Sequence, residues 1–247
     1  MKYILIIVII IYSSQWAFST QGKKKELAKI AFLTGKEDAE GGNEAIISHL
    51  NKKGYHVELL IDSLTSADFI LTETFDLLIL PSTIGSWRAG KFKDIEIPIM
   101  AWESYAFDKE LGLVPDNDNC YGGVPFAESD DELINEIEIV GNAHGLNAGY
   151  KGKVKVLKTA KWKESVENPE SNYVFGIPGE NAFKIAKIGN MNQYAIFGYE
   201  KGKEMAEKGF FAPDKRLAYY FHHAAPVYLT RQGWDLFDAA IEWLLNY

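Results

Sequence analysis

The chain has 247 residues, 47% of them hydrophobic, and its six tryptophans and thirteen tyrosines can build a sizeable core, which excludes general disorder. The formal net charge is −8 and the lysines are scattered apart from Lys23-Lys24-Lys25, so no phosphate-tracking surface is present and nucleic acid is excluded as a partner. Cys120 is the only cysteine, which excludes an intramolecular disulfide.

At the N-terminus a single Lys2 precedes an apolar run from Tyr3 to Tyr12, and a more polar segment, Ser13 to Ser19, follows. That order is the pattern of a secretory signal peptide. The run is shorter than the ~20 apolar residues that a spanning helix needs. Ala17-Phe18-Ser19 puts small residues at the two positions a signal peptidase reads, so residues 1–19 are expected to leave and residues 20–247 to form one domain without a stable membrane span. An uncleaved N-terminal anchor is the alternative. With no cysteine beside the apolar run, a lipoprotein is excluded. The expected location is exported, periplasmic or extracellular.

Lys29 to Gly35 reads as a short buried strand feeding a loop. A helix should follow, with Ala45, Ile46, Ile47 and Leu50 on one face, Asn43 as its cap and Gly54 as its left-handed end. Tyr55 to Leu60 alternates as a strand does. Phe75 to Leu80 is a continuous apolar run that breaks into Pro81-Ser82-Thr83, and Ile97 to Trp102 is another, ending in Glu103-Ser104; both suit central parallel strands entering their C-terminal loops. Strand, helix, strand in this repetition predicts a doubly wound sheet. Ligands bind such sheets at the C-terminal strand edge, which gathers Thr34, Gly35, Ser82, Thr83, Glu103 and Ser104 around one crevice, with Trp102 beside them.

Residues 116–131, rich in Asp, Asn and Gly, read as an exposed loop. Further strands are expected at 152–157, 181–186 and 193–199. The chain then closes with a strand over 216–223, Thr230 as a helix cap, and an amphipathic helix from Arg231 to Leu245 whose Trp234, Phe237, Ile241, Leu244 and Leu245 share a face.

Several segments carry a resemblance. They are Ile30-Ala31-Phe32-Leu33-Thr34-Gly35; Leu78 to Ser86; Phe92-Lys93-Asp94 through Ile97 to Ser104, followed by Leu111-Gly112-Leu113; and His144-Gly145-Leu146-Asn147-Ala148-Gly149 with Gly152. The ending adds Leu217 to Trp243, with Leu229-Thr230 and Gly233 to Ala240. Together they resemble a ThuA-like branch of the class I glutamine-amidotransferase-like superfamily, found in exported bacterial proteins. The His144 segment is similar to the family's His-Pro-Leu-x-x-Gly, with Gly145 in place of proline. The resemblance covers nearly all of the chain after residue 20. It implies an α/β, flavodoxin-like doubly wound, mostly parallel sheet with additional β-strands in the C-terminal half. The superfamily holds amidotransferases, proteases, sugar-metabolism proteins and members without an established activity, so it fixes no reaction.

A class I amidotransferase carries a cysteine on a tight strand-to-helix turn, where the thiolate is exposed and backbone N–H groups stabilise the oxyanion. The corresponding turn is Trp102-Glu103-Ser104, which has no cysteine, and Cys120 lies in a polar loop beyond it. Thiol-dependent glutamine hydrolysis is therefore not expected. Glu103 is a candidate general acid or base; its structural alternative is a carboxylate bonding the N–H groups at the following helix start. Ser104 is a candidate nucleophile if His222 or His223 reaches it, although no Gly-x-Ser-x-Gly elbow surrounds it. His222 and His223 are adjacent on a predicted strand and so point to opposite faces, which leaves one of them for the crevice. The superfamily's catalytic histidine lies comparably late in the chain.

His144 has two uses, fixing the backbone beside Gly145 or touching a ligand. His49 and His56 read as solvated. No zinc spacing occurs, and a calcium reading of Asp116-Asn117-Asp118-Asn119 fails because Cys120 stands where oxygen is wanted. No metal and no cofactor is expected. The leading reading is a small-molecule site for a polar, carbohydrate-derived ligand beyond Thr34, Ser82 and Glu103. The alternatives are a hydrolase or isomerase using Glu103 with His222 or His223, and a non-catalytic protein interaction module in which Tyr105, Phe107 and Tyr121 present aromatic surface.

Overall fold

The computed structural model describes residues 28–36, 42–125, 135–158, 171–188, 192–222 and 225–246. The leader with its cleavage site and His223 lie outside the described residues.

The first half supplies strands β1 (Lys29–Thr34), β2 (His56–Ile61), β3 (Leu77–Leu80) and β4 (Ile99–Ala101). Strands β5 (Tyr121–Pro125), β6 (Glu136–Ile139), β7 (Gly152–Lys155), β8 (Ser171–Gly176), β9 (Phe183–Lys187) and β10 (Tyr194–Tyr199) follow, and β11 (Arg216–Ala218) returns beside β4. All belong to one 11-stranded sheet. Its parallel half runs in the order β2-β1-β3-β4-β11, and beyond β11 every pairing is antiparallel, so the sheet as a whole is mixed. Helices α1 (Asn43–Lys53), α2 (Ala67–Thr72), α3 (Ser86–Ala89) and α4 (Arg231–Leu245) connect and cover it.

The parallel strands are apolar throughout because both of their faces are covered. Leu77, Leu78, Ile79 and Leu80 are all fully buried, as are Ile30, Ala31, Phe32 and Leu33. Each such leucine, isoleucine or phenylalanine side chain taken out of water contributes roughly 1.5–3 kcal/mol before the cost of ordering it. The buried apolar residues of both halves form one continuous core.

Helix ends follow local chemistry. Gly54, at φ 94°, closes α1 in the left-handed conformation that glycine adopts without strain, and Thr230 caps α4 by accepting from the Gly233 N–H at 3.1 Å. Asn43 is not the cap expected of it. Gly42 holds that position without a side-chain bond, and the fully buried Asn43 turns its amide toward the loop after β3, donating to Thr83 Oγ1 at 2.8 Å. His49, expected in solvent, is instead held between α1 and α4: its ring stacks on Trp234 at 4.2 Å and meets Asp238 at 2.6 Å. His56 is exposed on β2, as expected.

The loop expected over residues 116–131 is a strand in part, since Tyr121–Pro125 pairs antiparallel with β8. The strand expected over 216–223 ends at Ala218. Among the described residues no helix is long and apolar enough to cross a membrane.

Candidate functional site

The loops at the C-terminal ends of β3, β4 and β11 are held together by continued backbone bonding. Trp102 N–H donates to the Leu80 carbonyl at 3.0 Å and Tyr219 N–H to the Ala101 carbonyl at 2.8 Å. Past β11 the chain swings against β8, where Val174 N–H donates to the Tyr220 carbonyl at 3.0 Å and Phe221 bridges Tyr173. This carries His222 to the mouth of the sheet. The regular strand expected to carry His222 ends four residues earlier at Ala218, and His223 lies outside the described residues.

Between these loops lies a cavity of about 230 Å3. Ser82, Glu103, Ser104, Tyr105 and His222 line it, and Gly123 and Val174 close it from β5 and β8. Sequence patterning missed Gly123 because the Asp, Asn and Gly around β5 read as loop, and it assigned no element over 171–176, where Val174 lies.

Glu103 is the central group. It is only 6% exposed, and it starts the 3-10 turn Ser104–Ala106, where its Oε1 accepts from the Tyr105 N–H at 3.2 Å. Burial pushes its carboxyl up from the ordinary 4.5 to about 8, against the smaller downward pull of the Tyr105 hydrogen bond. At neutral pH it is therefore mostly a neutral acid, able to donate a proton as well as to accept a hydrogen bond. The two uses considered for it coincide in one residue, a turn cap that also faces the cavity.

Ser104 is 3% exposed and lines the cavity, but the turn lacks the strain of a nucleophile elbow: Glu103 sits at φ −80° and ψ 93°, and among the described residues the non-glycine positive-φ positions are Thr74, His144 and Ala148. Ser82 Oγ is shielded from solvent with no hydrogen-bond partner among the described residues. A buried hydroxyl left unbonded is costly, so a ligand or water in the cavity is its natural partner.

Thr34, Gly35, Thr83 and Trp102 are near neighbours of the cavity and do not line it. Thr34 is fully buried, and its hydroxyl receives the Lys36 N–H at 3.5 Å. Gly35 lies so close under the Thr83 carbonyl that a Cβ there would collide with it. Trp102 has no exposed surface and packs edge-on against Phe32 at 6.0 Å and Phe221 at 5.5 Å, as part of the core beneath the site.

His144 is at the other end of the sheet. It stacks on Trp243 at 5.5 Å and pairs with Glu200 at 2.8 Å, and the Trp243 carbonyl receives the ammonium of Lys215 at 2.7 Å, immediately before β11 begins. Its backbone is left-handed, with φ 57°. Cys120 is half-buried and does not line the cavity. Among the described residues no group of three or more His, Cys, Asp or Glu is arranged to hold a metal ion.

No family model matches the chain, and no curated protein matches it. Among solved structures, PurLQS from Thermotoga maritima aligns with a TM-score of 0.47 at 10% identity, over 88% of this chain and 99% of that one. At that level the likeness bears on neither family nor activity.

Chemically, the cavity offers a buried carboxylic acid, two serine hydroxyls and an imidazole in one enclosure. That set can hydrogen-bond a polyhydroxylated ligand from several sides. It can also move a proton at one.

Proposed function

We propose that this chain is an exported, ThuA-like member of the class I glutamine-amidotransferase-like superfamily, whose crevice binds a small polar, carbohydrate-derived ligand without cysteine chemistry. The motifs from Ile30 to Gly35 and from Phe92 to Ser104 support the family reading. The parallel order β2-β1-β3-β4-β11 agrees with it, since it is the flavodoxin-like order with the site beyond the carboxyl ends of the strands. The apolar leader supports export.

The observation that carries the ligand reading is the grouping of Ser82, Glu103, Ser104 and His222 around one cavity, with Glu103 nearly buried. A neutral acid and hydroxyls suit a neutral polar ligand better than an anion. The test is a thermal-shift screen against monosaccharides, oligosaccharides and sugar acids, because a ligand selective for the native state raises its melting temperature. A shift that disappears in Glu103→Leu supports the reading. A shift that survives both Glu103→Leu and Ser82→Ala, or no shift with any compound, overturns it.

The second reading is catalytic, a hydrolase or isomerase with Glu103 as acid and His222 as base. What favours it is the raised affinity of Glu103 for its proton, which suits a group that must deliver one near neutral pH. Glu103→Gln should then abolish turnover of the identified ligand while leaving its binding largely intact. Retained turnover rules this reading out.

A further inference from the structure

Two large rings stand in solvent on elements beside the cavity: Tyr105 belongs to its lining, and Trp87 lies on the short helix that adjoins the Tyr105 turn. Trp87 is 69% exposed and Tyr105 is 59% exposed. Trp87 belongs to α3, which follows the Ser82 loop and packs against the 3-10 turn that carries Tyr105, so the rings sit on adjoining elements. Exposed aromatics scattered singly need no explanation, but these two are held in place.

The anchoring of Trp87 begins at Gly85. This glycine has φ −73° and ψ 119°, which any residue adopts, so its backbone does not require glycine. What glycine permits is close approach: a Cβ at Gly85 would lie 3.1 to 3.3 Å from three atoms of the Trp87 ring. The same short loop is fastened from below. The fully buried Asp62 accepts from Gly85 N–H at 2.8 Å and from Arg88 Nη1 at 2.9 Å, and the Arg88 guanidinium lies 5.2 Å from the centre of the Trp87 ring. The loop and helix start that carry the indole are thus fastened, and the ring itself is left uncovered. Tyr105 is braced in turn by Tyr121, edge-on at 5.9 Å, whose hydroxyl donates to Asp118 at 3.0 Å. A rigid ring with a free face loses little entropy on stacking, which is what makes it a good platform.

We propose that Trp87 and Tyr105 form a stacking rim for a neutral oligosaccharide, one sugar unit entering the cavity and the next lying against the rings. The proposal rests on the reading of the cavity given above and extends it from a single unit to a chain. A sugar has the two chemistries required at once, a C–H face for the rings and hydroxyls for Ser82, Glu103 and Ser104. An apolar protein segment would leave those groups buried and unpaired. A nucleotide would stack equally well, but its phosphates would meet Asp118 on a chain of net charge −8.

The experiment is titration calorimetry of the whole protein with glucose, xylose and N-acetylglucosamine and with the tetrasaccharides of each, repeated on Trp87→Ala, Trp87→Phe, Tyr105→Ala and Glu103→Leu. Both rings are mostly exposed, so the rim variants should fold, which circular dichroism checks. One tetrasaccharide is expected to bind at least tenfold more tightly than its monomer. Trp87→Ala and Tyr105→Ala should each remove most of that margin, about tenfold, and Trp87→Phe should restore part of it. Glu103→Leu should weaken monomer and tetramer alike.

Equal affinity of monomer and tetramer, or rim variants that bind as the parent does, overturns the rim while Glu103-dependent binding keeps the cavity. No binding by any compound overturns both.

Discussion

Asn43, the first residue of α1, reaches across the C-terminal edge of the sheet to Thr83, donating from Nδ2 to Oγ1 at 2.8 Å. The bond joins the loop after β1 to the loop after β3, and it is made by a side chain with no exposed surface. Asn43→Ala would remove the donor and leave the Thr83 hydroxyl without it, at a cost of about 1–3 kcal/mol. Urea denaturation should show a lower midpoint at unchanged slope. An unchanged midpoint would mean that the loops are joined by backbone packing alone.

That packing has its own test at Gly35. No positive φ requires glycine there; the constraint is the Thr83 carbonyl pressed against its Cα. Gly35→Ala should force the two loops apart and destabilise the fold by about 1–3 kcal/mol, as overpacking does. A crystal structure of the variant should show the Ser82-Thr83 loop displaced. A parent-like loop with full stability would contradict the steric account.

Glu103 makes stability depend on pH in a direction opposite to that of most carboxylates. Its folded value, about 8, lies above the ordinary 4.5, so between those values the native state holds a proton that the unfolded state has released. Its contribution to stability is full below about pH 4.5 and is lost as pH rises through about 8. Loss of roughly 5 kcal/mol across that window is the order of magnitude, at about 1.4 kcal/mol per unit of displacement. Glu103→Gln keeps the shape and stays neutral, so its advantage over the parent should grow between pH 5 and 8 in denaturant titrations. Parallel pH profiles for parent and variant would place the Glu103 carboxyl in a more hydrated setting.

Arg216 is 1% exposed and faces backbone carbonyls: Nη1 donates to Ile97 at 2.9 Å and Lys215 at 3.1 Å, and Nη2 to Ile95 at 2.6 Å and Lys93 at 3.2 Å. Burial lowers its affinity for its proton to about 10, with Asp214 and Asp94 opposing. The guanidinium ties the segment before β4 to the start of β11. Arg216→Met fills a similar volume but strands those carbonyls, so a loss of about 3 kcal/mol or more is expected. Arg216→Lys cannot reproduce the planar fork and should recover only part of it. Full recovery by lysine would show that charge alone matters here.

The parallel half was legible in the sequence because strands covered on both faces must be apolar throughout, as Leu77 to Leu80 are. Gly54 and Thr230 were legible because helix ends have local chemistry. The β5–β8 ladder was not. Tyr121-Gly122-Gly123 has the composition of a turn, and only pairing with residues some fifty positions later makes it a strand. Glu103, Ser104 and Ser82, singled out by their place at strand ends, line the cavity, whereas Thr34 and Trp102 share that place and are buried beside it. His144 carried a motif-like neighbourhood, yet its glycine-rich turn serves the far end of the sheet. Trp87 had no signal at all, since an exposed indole and a core indole are spelled alike.

The cavity takes its walls from Ser82, the turn at 103–105, Gly123, Val174 and His222, segments spread along most of the described chain. None of these segments is neighbour to the next, so each must wait for the sheet between them to pair, and such long-range pairing is slow. The cavity therefore exists only once these distant segments have come together. A compound that occupies it selects molecules in which β5, β8 and the tail beyond β11 are already docked. It would raise the yield of finished protein by drawing the folding equilibrium toward the native state by mass action.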